Sequence, residues 1–401
     1  MPNPLTFPIS TITINLKHGK GDILLDEGET ATALQYTQTR GLPSLVGHLK
    51  SMMCDVHPFV SFGDDEVDDC DIIITNGSQD GLAKSFEMLL SEGDSLLVES
   101  PTYSGSLAYL GPAKVNLVAI DTDEYGLIAE SLEYILENWE KHNQGKAKPR
   151  VLYTIPTGSN PSGGTMSLAR KIAVYELANK HDLIILEDDP YYFLKLDIEK
   201  GGKRQTSFLT LDREAGGSRV LRFDSFSKLL SAGVRVGFAT GPKPLIERLD
   251  LHTQATMLHA SGLSQAVVSK MFDFWEGTEG FLKHCDEVAS FYKSQRDALV
   301  GAADKHLKGL VEFNLPTAGM FCWMKLVGVK DSNDLIMKKA VKQLVLLVPG
   351  SSFLPSSYGD GSVKQPTTGY VRASYSTASH EQMDEACKRL KVLLEEEQKS
   401  S

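Results

Sequence analysis

Asp224-Ser225-Phe226-Ser227-Lys228 places a primary amine beside two hydroxyls, and Arg235 follows in the same stretch. Hydroxyls and a guanidinium bind phosphate, while a partly desolvated amine loses its proton readily and becomes nucleophilic. A lysine in that setting can form an imine with a phosphorylated aldehyde, although the pentapeptide alone also fits a solvated loop lysine. Upstream, Leu186-Glu187-Asp188-Asp189-Pro190-Tyr191-Tyr192 clusters acids and phenols. One of its carboxylates could pair with a pyridine nitrogen and keep it protonated, which makes the ring an electron sink. A tyrosine three residues on could hydrogen-bond the phenolic oxygen of that ring. The plainer reading is an acidic turn that caps the next element.

Three further stretches share this character. Asn76-Gly77-Ser78-Gln79-Asp80-Gly81 joins an apolar run to a helical pattern, and amides at a helix start, with Ser78 as an extra donor, form an anion site. It lacks the G-x-x-x-x-G-K-[ST] spacing of a nucleotide-binding loop. Glu99-Ser100-Pro101-Thr102-Tyr103 offers a ring that could stack on a planar ligand. Pro156-Thr157-Gly158-Ser159-Asn160-Pro161-Ser162-Gly163 offers Asn160, biased towards extended backbone by the proline after it. Singly, these read as a helix cap, a packed tyrosine and an Asn-Pro turn. Together, consecutive strand ends supply a phosphate nest, an aromatic stack, an amide, an acid with a tyrosine, and an S-x-S-K lysine. Coincidence at every one of them is improbable.

The elements that must carry these residues follow from the apolar pattern. Short runs at 72–74, 96–98, 151–153, 183–186 and 220–223 alternate with helical patterns at 82–90, 132–142 and 167–181, the last opening on a Ser167 N-cap. Uninterrupted apolar strands separated by helices predict an α/β fold whose mostly parallel central sheet is covered by helices. Ligands of such sheets bind beyond the carboxyl ends of the strands, where all five stretches lie. From residue 281 the texture changes to a smaller α+β domain. Its expected elements are a long helix (281–305), a strand (319–324), a helix (335–343), strands at 346–348 and 370–374, and a final helix (381–396). Met383, Cys387, Leu390 and Leu394 form one stripe of that last helix. The expected domains are therefore 1–280 and 281–401, with surface loops at 141–148 and 356–367.

Composition narrows the class of partner. The 401 residues hold 41 Lys and Arg against 52 Asp and Glu, a net charge of -11. That balance argues against nucleic acid and anionic membranes, which need concentrated positive charge. No apolar run approaches the roughly 20 residues of a membrane-spanning helix. Cys54, Cys70, Cys285, Cys322 and Cys387 are scattered, without C-x-x-C spacing. Neither a metal site nor a disulfide framework is expected, and a reducing compartment is the simpler reading. The first residues show no targeting signal, so the cytoplasm or a mitochondrion is the expected location.

The P-x-G-x-N-P-S-G stretch, the D-D-P-Y turn and S-F-S-K followed by Arg235 resemble the signatures of fold type I pyridoxal-5′-phosphate (PLP) enzymes, specifically class I/II aminotransferases. The resemblance runs over nearly the whole chain, and residues 187–194, 224–248 and 318–323 look like the kynurenine/α-aminoadipate aminotransferase branch. It implies a large PLP-binding domain, a small C-terminal domain, and a ping-pong transfer of the amino group of an L-amino acid to a 2-oxo acid such as 2-oxoglutarate. Lys228 would carry the cofactor as an imine and shuttle the proton between substrate α-carbon and cofactor C4′. Asp188 would pair with the pyridine nitrogen, Tyr191 and Asn160 would bind the phenolic oxygen, and Tyr103 would stack on the ring. Ser78, Gln79, Ser225, Ser227 and Arg235 would hold the phosphate. Arg372, in Tyr370-Val371-Arg372-Ala373-Ser374, would clamp the substrate α-carboxylate beside Asn160. Tyr36 would reach the phosphate of the neighbouring subunit of a twofold homodimer. The chain starts inside the family's L-P-N-P motif at Met1-Pro2-Asn3-Pro4, so residues 1–9 read as the remnant of an N-terminal arm and the substrate mouth is expected to be more exposed. Two other functions fit parts of the pattern: a β-lyase acting on cysteine conjugates, and a PLP-binding regulatory module, which the absent helix-turn-helix and the acidic charge disfavour.

Overall fold

The computed structural model describes residues 1–63, 70–143, 145–197, 202, 204–359, 362–364 and 366–400. The chain divides into two compact units. One comprises Met1–Leu89, Ile184–Pro190 and Arg204–Cys285, and the other Leu90–Leu183, Tyr191–Lys203 and Asp286–Ser401.

In the first unit four strands lie in the order Cys70–Thr75, Gly237–Pro242, Val220–Ser225, Ile184–Asp188. The first three are buried at every position; two of them, Cys70–Thr75 and Val220–Ser225, contain the runs expected at 72–74 and 220–223, while Gly237–Pro242 has no such run to mark it. Ile184–Asp188 is parallel to Val220–Ser225, but Gly237–Pro242 is antiparallel to both neighbours. This strand, not expected from the sequence, is the antiparallel member of a sheet read as mostly parallel. Only two tight turns, Phe226–Lys228 and Ala232–Val234, separate it from Ser225, too little chain for the crossover that a parallel neighbour requires. The helices Ser78–Leu89 and Lys243–Thr256 pack on these strands. Phe226 sits in an aromatic cluster with Phe238, Phe272 and Phe281, which anchors the turn leading to Lys228. A hairpin of Ile12–Asn15 with Asp22–Leu25, unforeseen in the sequence, packs Ile23 and Leu25 against Ala33 and Met271.

A buried ion cluster ties the strand ends of this unit. Arg222 has no exposed surface and donates from Nε and Nη2 to the two Asp224 oxygens at 2.9 Å, and from Nη1 to Asp189 at 3.0 Å. Glu187 lies 3.2 Å from the same Nη1 and also accepts the Phe208 and Leu209 amides, which open the helix Phe208–Glu214. Side chains alternate along a strand, so Asp188, between Glu187 and Asp189, leaves from the opposite face.

In the second unit the strands Val151–Thr154, Ser95–Ser100 and Asn116–Asp123 are parallel neighbours, and Gly126–Leu127 turns back on the last. Ser167 caps the helix Leu168–Lys180 by accepting the Arg170 amide at 3.3 Å, as the sequence predicts. A second, wholly antiparallel sheet has the order Val311–Phe313, Phe321–Leu326, Tyr370–Ser374, Val348–Pro349. The final helix, His380–Ser400, buries the expected stripe Met383, Cys387, Leu390 and Leu394.

Three expectations need correction. Residues 335–343 form a wide π turn, Leu335–Ala340, followed by the tight turn Val341–Gln343, rather than one regular helix. The strand expected at 346–348 is Val348–Pro349, and Leu346 is 81% exposed. The loop expected at 356–367 contains backbone pairing of Ser357–Gly359 with Ser362–Lys364; residues 360, 361 and 365 lie outside the described residues, as does 144 in the other predicted loop.

Candidate active site

Lys228 closes the turn Phe226–Lys228 immediately after the strand Val220–Ser225. The Ser225 hydroxyl accepts the Ser227 amide at 3.2 Å and shapes that turn. Arg235 takes a left-handed backbone conformation (φ 50°, ψ 45°) that a bulky residue adopts only under constraint. Its Nη1 donates to the Ser227 hydroxyl at 3.1 Å and its Nη2 to the Asn76 carbonyl at 3.1 Å. Gly77 has φ +81°, and a Cβ there would run into the Arg235 guanidinium. Gly237 is equally tight: a Cβ would lie 2.7 Å from the Ser78 nitrogen and 2.8 Å from the Asp224 carbonyl oxygen.

Bare backbone therefore lets the start of the helix Ser78–Leu89, the two serine hydroxyls and Arg235 converge. Amides at a helix start, hydroxyls and a guanidinium together are the donor set of a phosphate monoester site. The acid of that first turn, Asp80, is occupied by the Asn76 amide and by Lys84, each at 3.0 Å. Gln79 is the second residue of the helix, and Asp188 is buried at the end of its strand. Tyr36 is 57% exposed, its ring edge-on to His259.

The second unit gathers the other predicted residues. Arg372 lies in the middle of the antiparallel sheet, opposite Trp323 and Val348. Its guanidinium is held between two rings, 4.1 Å from the Phe321 centroid and 4.8 Å from that of Phe353. Nη1 donates to Asn160 Oδ1 at 2.8 Å, while Nε is buried without an acceptor among the described residues. Burial pulls this guanidinium below its ordinary pKa, with the Tyr191 and Tyr103 phenols opposing. Tyr191 is buried, with its ring edge-on to Phe321. Tyr103 precedes the helix Ser104–Leu110 and folds its ring over Gly105. Linear reading did not single out Gly77, Gly237 or Phe353: the clearances of the glycines, and the long loop between Phe353 and Arg372, exist only in three dimensions. Phe321 carried a signal, since it alternates with Trp323 on a strand and so shares a face.

Comparison with known proteins agrees with this geometry. The sequence model for aminotransferase class I and II matches residues 17–390. The chain is 45% identical over 400 residues to the mitochondrial kynurenine/alpha-aminoadipate aminotransferase of Bos taurus, covering 98% of this chain and 90% of that protein. The crystal structure of the aromatic aminotransferase Aro9 from C. albicans superposes with a TM-score of 0.89 at 29% identity, covering all of this chain and 91% of that one. Pyrococcus horikoshii kynurenine aminotransferase, solved with PMP, gives 0.80 at 31% identity over 92% of this chain and 84% of that one. The chain belongs to the class I and II aminotransferase family, with the type I fold of PLP-dependent transferases. It is an aminotransferase, and the family implies pyridoxal phosphate as its cofactor.

The tight contacts at Gly237 give a prediction. Gly237→Ala should push the Ser78 amide or the Asp224 carbonyl aside and weaken PLP binding by ~10-fold or more, the scale of one charge-assisted hydrogen bond. Gly301→Ala, where a Cβ meets nothing within 4 Å, should leave affinity unchanged. Spectrophotometric titration of the two proteins with PLP measures both.

Proposed function

We propose that this aminotransferase moves the amino group of 2-aminoadipate, kynurenine or an aromatic amino acid to a 2-oxo acid such as 2-oxoglutarate. The similarity to kynurenine/alpha-aminoadipate and aromatic aminotransferases supports that choice of donors. The observation that carries the reading is Arg372: a half-buried guanidinium, steadied by Asn160 and two phenyl rings, with a buried Nε that has no acceptor among the described residues. A carboxylate is the partner whose geometry and charge suit it. Both the amino acid and the 2-oxo acid present one, so a single arginine serves both half-reactions.

PLP, when bound, supplies an aldehyde to take up the amino group and a pyridinium ring to store the electron pair left by the α-proton. The donors around Ser78, Gln79, Ser225, Ser227 and Arg235 hold the phosphate. Lys228 Nζ would hold the cofactor and, once displaced by the amino group of the substrate, would be the base that takes up the α-proton and hands it on. Asp188 would keep the proton on the pyridine nitrogen. The Tyr191 hydroxyl and Asn160 amide would donate to the phenolic oxygen, and the Tyr103 ring would cover the cofactor. On this reading residues 1–280 form the cofactor-binding domain, and 281–401 bring Arg372. The active unit is a twofold homodimer in which Tyr36 reaches the partner's phosphate, working in the mitochondrion or the cytoplasm.

Two experiments test these roles. Borohydride reduction of the purified holoenzyme should trap the cofactor on Lys228, and Lys228→Ala should lose at least ~10²-fold in kcat, the lower range of general acid–base catalysis. An adduct mapped to another lysine would overturn the assignment. Arg372→Ala should cost about 1.5–3 kcal/mol of binding, as for a charge-assisted hydrogen bond, and so raise KM roughly 10- to 100-fold for amino acid and oxo acid alike. A rise for only one of the two would mean that Arg372 reads a side chain.

A further inference from the structure

Glu99 is a buried acid that the roles above leave unused. It is 1% exposed and occupies the penultimate position of the strand Ser95–Ser100, four residues before Tyr103. Its Oε1 accepts the Thr154 hydroxyl at 2.5 Å and the Ile155 amide at 3.3 Å, and its Oε2 accepts the Ser159 hydroxyl at 3.3 Å. These partners are two hydroxyls and one amide, with no cation among them. Burial pushes the carboxyl up to about 7, against the lowering effect of the three hydrogen bonds. An acid buried without a cation costs stability, so packing alone does not account for it. What it supplies is a set of acceptors at the root of the loop that carries Asn160.

That loop is closed by its own hydrogen bonds. The Ser159 amide donates to the Gly164 carbonyl at 2.8 Å, the Gly163 amide to the Ser159 carbonyl at 2.6 Å, and the Gly158 amide to the Thr165 hydroxyl at 3.1 Å. Ser159 thus sits at the knot of the loop, and its side chain is tied to Glu99. The next residue, Asn160, accepts from Arg372. A continuous line of contacts runs Glu99, Ser159, Asn160, Arg372.

We propose that Glu99 is a positioning residue that sets Asn160, and through it Arg372, by holding the Ser159 hydroxyl. It rests on the reading of Arg372 as the carboxylate clamp, and it acts on the substrate only through Asn160.

The test uses the holoenzyme in four variants, Ser159→Ala, Glu99→Ala, Glu99→Gln and Arg372→Ala, with two readouts: hydrogen exchange of the 156–165 peptide, and KM and kcat for both substrates. Ser159→Ala leaves Glu99 bonded to Thr154 and Ile155, so it keeps the fold even if Glu99→Ala does not. In Ser159→Ala, exchange of this peptide and both KM values should rise about 3- to 10-fold, the loss expected for one hydrogen bond, with a smaller fall in kcat. Glu99→Gln should restore both readouts to within about threefold of the parent, since its amide oxygen still accepts from Thr154 and Ile155 and its NH2 can donate to Ser159. Unchanged exchange in folded Ser159→Ala would overturn the proposal. So would unchanged KM in that variant while Arg372→Ala raises KM. If Arg372→Ala itself leaves KM unaltered, the clamp reading is what fails, and the exchange data alone decide the role of Glu99.

Discussion

Arg222 carries a full charge where water does not reach, and that charge has to be met within the protein. Asp224, Asp189 and Glu187 meet it at 2.9 to 3.2 Å, from its own strand and from the neighbouring one. The consequences extend past the pair of strands. Glu187 also receives the first amides of the helix Phe208–Glu214, so one guanidinium fixes two strand ends and a helix start. The carboxyl ends of the strands, where Asp188 and the turn to Lys228 emerge, are consequently held in a single arrangement. The role proposed for Asp188, pairing with a pyridinium, needs that rigidity, because a misplacement of a fraction of an ångström weakens a charged hydrogen bond steeply.

Arg372 is the instructive contrast. Arg222 is fully buried and surrounded by carboxylates, whereas Arg372 is half-buried beside an amide oxygen and two phenyl faces. The first is saturated and structural. The second is oriented but not neutralised, and burial lowers its pKa where a carboxylate neighbour would have raised it. On the proposed reading, an incoming carboxylate would meet a cation already oriented and with no carboxylate among its described partners, which favours binding without a large reorganisation. The difference lies entirely in what surrounds each arginine.

Much of this was legible in the linear chain, and the limits have physical causes. Strand ends are legible because buried parallel strands are continuous apolar runs, so the polar residues directly after them stand out. The Ser167 cap and the stripe of the last helix were readable from local periodicity alone. Glu187-Asp188-Asp189 was readable as acid-rich, and alternation implies that the middle residue faces away from the other two. Which face meets Arg222 depends on the register with Val220–Ser225, and register is a non-local property. The reversed direction of Gly237–Pro242 depends on loop length, and the need for glycine at Gly237 depends on a helix from far upstream. Glu99 looked like one more polar residue before a tyrosine, because its partners lie more than fifty residues away in sequence.

We propose that the adjacent acids divide their labour, Asp188 serving the cofactor while Asp189 serves Arg222. Comparing Asp188→Asn with Asp189→Asn in one transamination assay, alongside thermal melting, tests it most directly. Asp188→Asn should melt near the parent and lose ~10²-fold or more in kcat, the scale for removing a key electrostatic stabiliser. Asp189→Asn should melt well below the parent, as breaking a buried pair costs about 3–5 kcal/mol, while its folded fraction keeps most of its kcat. The reverse pattern, with Asp189→Asn inactive and Asp188→Asn merely less stable, would contradict the account.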